Sequence, residues 1–317
     1  MKAGIDLGGT KIQAVVVDDE HAVAGQARLP TPRSGGPEDV AEAMAEAVRQ
    51  SAAQADADPA ELAGIGVGSP GVIDARRGTV SSARNLPRWE GTFALGKALS
   101  SALGPRKVRI DNDVNVATEA EFELGAGRDY RSLLGVFWGT GVGGGIILRG
   151  RTWLGRGAAA EIGHMVVNID GARCPCGRRG CVEAYAGRGA LEERARHRQD
   201  KGHRTELFKI MEKRGRDRLT SGIWARALEA DDKLAHKLLE EAVDALGAGV
   251  ASALNVLDVD AVVLGGGLGL RLGEPYREKI EKAMLPHLFA SENPPPFVLA
   301  ELGDLGGAIG ASLLIKT

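Results

Sequence analysis

No stretch of this 317-residue chain runs apolar for the roughly 18 residues that a membrane-crossing helix needs, so no transmembrane helix is expected. It also lacks any long basic run, and its formal net charge is −2. Nucleic acid and anionic membrane are therefore poor partners for it. Lys2 is followed at once by a short strand-like run rather than an apolar leader. No signal peptide is expected, and the expected location is the cytoplasm. Cysteine is scarce: three occur, all between Cys174 and Cys181. An odd number packed so tightly is no disulfide framework, and points to metal or redox chemistry.

What is present fits an ordinary soluble globular protein, with 44% hydrophobic and 26% charged residues. The length exceeds the ~250–300 residues at which a single core stops growing, so two lobes are expected. Strands are predicted at Lys2–Leu7, Lys11–Val17, Val23–Leu29, Ile65–Val67 and Val108–Ile110, and again at Leu133–Trp138, Gly144–Leu148, Ala261–Leu264 and Phe297–Ala300. Helices are predicted at Glu38–Ala55, around 114–128, at His236–Leu257 and at Gly306–Ile315. Residues 151–190 read as loop, and 190–230 as a polar, helical and well-solvated section. GIDLGGTKIQAVVVD and LLGVFWGTGVGGGIILRG share one pattern of strand, Gly/Thr turn and strand. They lie more than 120 residues apart, which fits two related lobes facing a cleft rather than a solenoid.

Three glycine turns follow strands: Gly8-Gly9-Thr10, Gly139-Thr140-Gly141 and Gly265-Gly266-Gly267. Glycine lets backbone approach an anion closely, and successive N–H groups form an anion-binding nest. None matches a P-loop or opens a Rossmann unit. Any one alone reads equally well as a simple tight turn, but three together favour a nucleotide polyphosphate. Asp6 beside such a nest would repel the anion unless Mg²⁺ sits between them. Lys11 either neutralises phosphate or is solvated at the turn.

His164, Cys174, Cys176 and Cys181 are a four-ligand set of the kind that holds Zn²⁺ tetrahedrally. With all four positions filled, the metal would be structural. Free buried thiols are the plain alternative, and a redox pair fits less well because the spacing is C-x-C. Asp111-Asn112-Asp113 ends a predicted strand and precedes a helix. Asp113 is then either a helix N-cap or a general base for phosphoryl transfer. Glu161 and Glu183 flank the cysteine box. They are either surface residues or a pair of acceptors suited to sugar hydroxyls. His164 can serve both sugar and metal only if its two ring nitrogens divide the work.

Taken in order, Asp6-Leu-Gly-Gly-Thr-Lys11, Asn112-Asp113-Val-Asn115, Gly139-Thr-Gly-Val-Gly143, Glu161-Ile-Gly-His164, Cys174-Pro-Cys-Gly-Arg-Arg-Gly-Cys181-Val-Glu183 and Gly265-Gly-Gly267 span almost the whole chain. In these the chain resembles the ROK family of sugar kinases. The resemblance implies an α/β, two-lobed actin-like/sugar kinase (ribonuclease H-like) fold with an interlobe cleft. The expected division is 1–113, completed by a C-terminal helix at about 303–317, and 114–302 carrying the zinc knuckle.

The resemblance further implies ATP- and Mg²⁺-dependent phosphorylation of a hexose, with a structural Zn²⁺. Asp113 would be the catalytic base. Asn85, Asn112, Glu161, His164 and Glu183 would bind the sugar. Asp6, Gly8, Gly9, Thr10, Lys11, Gly139, Thr140, Gly141, Gly265, Gly266 and Gly267 would serve the nucleotide. Asn85–Gly91 and the intact box are most similar to bacterial glucokinases. Other acceptors (fructose, N-acetylmannosamine, N-acetylglucosamine, allose) and a polyphosphate donor stay open. Some relatives are DNA-binding repressors, but the first motif here begins at residue 4, which leaves no room ahead of it for such a module. A sugar-binding sensor and a filament-forming ATPase are the alternatives of other classes. A homodimer or homotetramer is expected.

Overall fold

The computed structural model describes residues 1–83, 86–104 and 107–316. Asn85 lies outside the described residues. The chain forms two compact units, Met1–Arg128 with Glu301–Thr317, and Asp129–Ala300.

The first unit opens with three strands, β1 (Lys2–Leu7), β2 (Lys11–Val17) and β3 (Val23–Pro30). Helix α1 (Pro37–Gln54) follows, then β4 (Ile65–Ser69). Short strands β5 (Val72–Asp74), β6 (Thr79–Ser81) and β7 (Thr92–Phe93) make a small separate sheet. Helix α2 (Leu95–Leu103), β8 (Val108–Asn112) and α3 (Asp113–Leu124) complete this stretch. The main sheet runs β3-β2-β1-β4-β8. Strands β1 and β2 are apolar on both faces because helices cover both sides. Val40, Met44 and Val48 of α1 and Leu95 and Leu99 of α2 share one core with Ile5, Leu7 and Ile12.

The second unit repeats this plan. Strands β9 (Leu133–Trp138), β10 (Val142–Leu148) and β11 (Arg151–Thr152) form the antiparallel part. A 3-10 turn at Ile162–His164 leads into the cysteine segment. Helices α4 (Val182–Ala186), α5 (Arg188–Asp200), α6 (Leu207–Lys213), α7 (Ser221–Glu229) and α8 (Lys233–Leu257) follow. Strand β12 (Ala261–Gly265), helices α9 (Gly269–Leu272) and α10 (Glu274–Met284) and strand β13 (Phe297–Leu299) finish the unit. Its sheet runs β11-β10-β9-β12-β13. Each main sheet pairs its first three strands antiparallel and its last two in parallel. The faint repeat in the sequence is thus a repeat of topology.

The chain then returns to the first unit as α11 (Gly306–Leu313). This helix lies directly on backbone. A Cβ on Gly66 would stand 1.7 Å from the Ala311 carbonyl oxygen, and one on Gly310 would stand 1.9 Å from that of Val116. The second contact is with α3, which is why Asp113–Leu124 packs in the first unit. The division of the chain therefore falls after Arg128 rather than at residue 113. Glu121 of α3 fastens the two chain segments at this point. Its carboxylate accepts from the N–H groups of Ala126, Glu301 and Leu302 at 2.9–3.0 Å.

The 190–230 section is less solvated than its polarity suggests. Leu191, Ala195, Leu207, Leu219, Ile223 and Trp224 enter the core of the second unit. Its charge is partly internal. Buried Glu192 accepts from Arg196, Arg218 and the Leu219 N–H.

Candidate active site

In the first unit the candidate residues gather at the carboxyl ends of parallel strands. Asp6 of β1 is in register with Gly68 of β4, and Gly68 and Ser69 are in register with Asp111 and Asn112 of β8. Strand ends of this kind are where open α/β sheets bind ligands. The Gly8–Thr10 turn is closed by the Gly8 N–H donating to the Lys11 carbonyl at 2.9 Å, and Thr31 Oγ1 donates to the Gly8 carbonyl at 2.6 Å. Burial holds the Asp6 carboxyl above the usual carboxylate range; the Lys11 charge opposes this and Asp304 adds to it. Lys11 is shared with Asp304, at 3.6 Å. A carboxylate in this partly buried setting would suit a divalent cation.

Asn112, not Asp113, caps α3. Its side-chain oxygen accepts from the N–H groups of Val114 and Asn115 at 3.0 and 3.3 Å. Asp111 anchors the corner by accepting from the Asn112 N–H and from Asn115 Nδ2. The N-cap role therefore falls to Asn112 and not to Asp113. Asp113 stands as the first helical residue, one carboxylate oxygen accepting from the Val114 N–H at 3.0 Å. Gly68 makes this close start possible, since a Cβ there would lie 2.6 Å from Val116 Cγ2.

In the second unit the Gly139–Gly141 turn joins β9 to β10, and the Gly139 N–H donates to the Gly141 carbonyl at 2.9 Å. The Gly265–Gly267 turn ends the neighbouring β12, and a Cβ on Gly139 would lie 3.9 Å from the Gly267 nitrogen. The two turns are adjacent. The sugar-side candidates meet the first of them at Val142. The Val142 N–H donates to Glu183 Oε2 at 2.9 Å, and the Val142 carbonyl presses on Gly163, where a Cβ would stand 2.0 Å away. Gly163 lies between Glu161 and His164, so one backbone unit holds Glu183 and the Glu161–His164 turn together. Only one oxygen of Glu183 is used this way.

His164, Cys174, Cys176 and Cys181 come together, with their ligand atoms all within 4.8 Å of one another. Cys174 Sγ is 3.8 Å from His164 Nδ1, and Cys176 Sγ is 3.8 Å from Cys181 Sγ. Ligands at roughly 2.3 Å around a tetrahedral Zn²⁺ would be spaced about 3.8 Å apart, so the donor set fits that metal. Burial pushes the Cys174 thiol up to about 12. For Cys176 burial acts in the same direction, but hydrogen bonds from Arg178 and its neighbouring thiols outweigh it and bring it down to about 6. Three thiols so arranged do not all ionise without a cation, and a metal that takes thiolates supplies it. His164 Nε2 faces away from this cluster, 3.9 Å from Glu161 Oε2. The two ring nitrogens are divided between the cysteine side and the Glu161 side.

One neighbour of the glycine turns is marked by no motif. Arg188 begins α5 and donates to Thr140 Oγ1 at 2.9 Å and to Ser221 Oγ at 3.1 Å. It sits just beyond the cysteine box in a stretch read as loop, and nothing in its spacing marks it.

Repeated five-stranded α/β units with glycine turns at their strand ends define the class: this is the two-lobed actin-like sugar kinase fold. The model of the ROK family matches residues 2–317, and the chain belongs to that family. It is 32% identical to a glucokinase of Thermotoga maritima, over 99% of this chain and 96% of that protein. It is 34% identical to an N-acetylgalactosamine kinase of a Shewanella species, over 99% and 96%. Among solved structures, a ROK glucokinase of Streptomyces griseus in complex with glucose and AMPPNP is 31% identical, with a TM-score of 0.83 and coverage of 99% and 98%.

Proposed function

We propose that this chain is an ATP-dependent hexose kinase acting on the 6-hydroxyl of glucose. The observation that carries the reading is the end-to-end likeness to the S. griseus glucokinase, whose complex holds glucose and AMPPNP. The local geometry supports it. Asp113 heads α3 at a strand end and is relieved of capping by Asn112. A carboxylate so placed suits a general base.

In this reading Asn85, Asn112, Asp113, Glu161, His164 and Glu183 bind the sugar. The free oxygen of Glu183 and the Nε2 side of His164 are the groups left for hydroxyls. Gly8–Lys11 and Gly139–Gly141 receive the phosphates, and Gly265–Gly267 the adenosine side. Asp113 takes the proton of the 6-hydroxyl as its oxygen forms a bond to the γ-phosphorus. The bond from that phosphorus to the β-phosphate oxygen breaks, and ADP leaves. Such a reaction is carried mostly by positioning and charge. Mg²⁺, held near Asp6, would neutralise phosphate charge. Zn²⁺ on His164, Cys174, Cys176 and Cys181 would hold the knuckle that presents Glu161 and Glu183. We also expect a homodimer or homotetramer and a cytoplasmic location; among the described residues no helix is long and apolar enough to cross a membrane.

A second reading is favoured by the 34% identity to the N-acetylgalactosamine kinase: the same chemistry on an N-acetylhexosamine. Epimers and substituents are told apart by one or two hydrogen bonds. ADP release measured against glucose, mannose, fructose, allose and the N-acetylhexosamines separates the two. Turnover highest with glucose supports the first reading, and turnover highest with an N-acetylhexosamine the second.

A further inference from the structure

Arg188 is an arginine without an acid. Its guanidinium is half-buried at the start of α5, and its two hydrogen bonds go to hydroxyls, Thr140 Oγ1 and Ser221 Oγ. Among the described residues no carboxylate forms an ion pair with it. The acid one turn on, Glu192, is already engaged by Arg196 and Arg218. Arg218 reaches back toward the same spot: a Cβ on Gly189 would lie 3.9 Å from its terminal nitrogen and 3.7 Å from the Thr140 carbonyl. Two guanidiniums thus share Glu192, and the third, Arg188, stands near them beside a glycine turn. Burial, and then the nearby Arg218 charge, make the cationic state of Arg188 harder to hold than usual, with Glu192 offsetting part of this. A surplus of fixed positive charge at a backbone nest is a place for an anion.

The hydrogen-bond directions sharpen this. A guanidinium can only donate, and a threonine hydroxyl has one proton. Thr140 Oγ1 must accept from Arg188, so its own proton is left to donate elsewhere. Thr140 is exposed. Ser221 lies near the second turn as well, with its Oγ 3.9 Å from where a Gly267 Cβ would be. One side chain therefore bonds to Thr140 on the first turn and to Ser221, which lies against the second. We propose that Arg188 is the positioning residue of the nucleotide phosphates, aiming the Thr140 hydroxyl proton at a phosphate oxygen and countering its charge. The proposal rests on the kinase reading for the identity of the anion.

The test is direct binding of ADP and of adenosine by calorimetry, without sugar, to the full chain and to Arg188→Met, Arg188→Lys and Ser221→Ala. The proposal predicts that Arg188→Met weakens ADP roughly 10–100-fold, the size of a lost charge-assisted hydrogen bond, and leaves adenosine unchanged. Arg188→Lys keeps the charge but not the fork, and should fall between. Ser221→Ala should bind ADP within a few-fold of the parent. If Arg188→Met does not fold, Arg188→Lys reads the same point through a smaller loss confined to ADP. Unchanged ADP affinity, or equal losses for ADP and adenosine, overturns the proposal and leaves the kinase reading standing. A parent chain that binds ADP through Arg188 yet phosphorylates no hexose would instead overturn the kinase reading and leave the proposal standing.

Discussion

At the scale of single residues, chemistry is assigned by what each group is relieved of doing. Asn112 takes the cap of α3, and in the proposed kinase Asp113 beside it is the general base. Asp113→Asn should therefore leave glucose binding near the parent value and lower kcat roughly 10²–10⁴-fold. Steady-state kinetics beside sugar titration checks it. Asp6 carries a cost when no ligand is bound. Its folded-state pKa is raised by burial, so its favourable contribution is present below the usual carboxylate range and is lost as pH rises through the raised value. The ligand-free Asp6→Asn protein should accordingly be more stable than the parent at neutral pH, and the gap should close on acidification. Urea unfolding at several pH values measures this; a gap that widens toward acid contradicts the assignment. The clustering of His164 with the three cysteines was legible in the sequence because it depends on residue type and close spacing. Arg188 was not, because its meaning comes from partners 48 and 33 positions away.

At the scale of elements, the strands were read well where burial on both faces leaves continuous apolar runs, as in β1, β2 and β9. Helix α2 and the small sheet β5-β6-β7 went unread. Their strands are two or three residues long, too short for alternation to show. The glycines of α11 look like poor helix formers in sequence, and the structure gives their reason in the contact with backbone. Gly310→Ala should destabilise the chain by about 1–3 kcal/mol through overpacking against Val116. A shift in the urea midpoint at constant slope would record it. The cysteine knuckle makes a separate prediction. Cys176→Ser should lose metal, lower the melting temperature and weaken sugar affinity together. Zinc content and sugar affinity that both survive the change would remove the four-ligand site.

At the scale of the whole molecule, two units share one strand order, five strands each, with the first three antiparallel and the last two parallel. The glycine turns at 8–10 and 139–141 occupy the same position in that plan, between the first and second strands of each unit. This was visible in sequence as a faint repeat, since a strand, a Gly/Thr turn and a strand is a local pattern. The unit boundary was not, because it depends on α3 packing with a helix from the far end of the chain.

The central claim is transfer of the terminal phosphate of ATP to a hexose. The most direct measurement is ADP release with ATP and Mg²⁺, in parallel with glucose and with no sugar, followed by identification of the phosphorylated sugar. ADP should be released rapidly only when glucose is present, with glucose 6-phosphate formed in equal amount. Release that is indifferent to sugar, or none with any hexose, would contradict it.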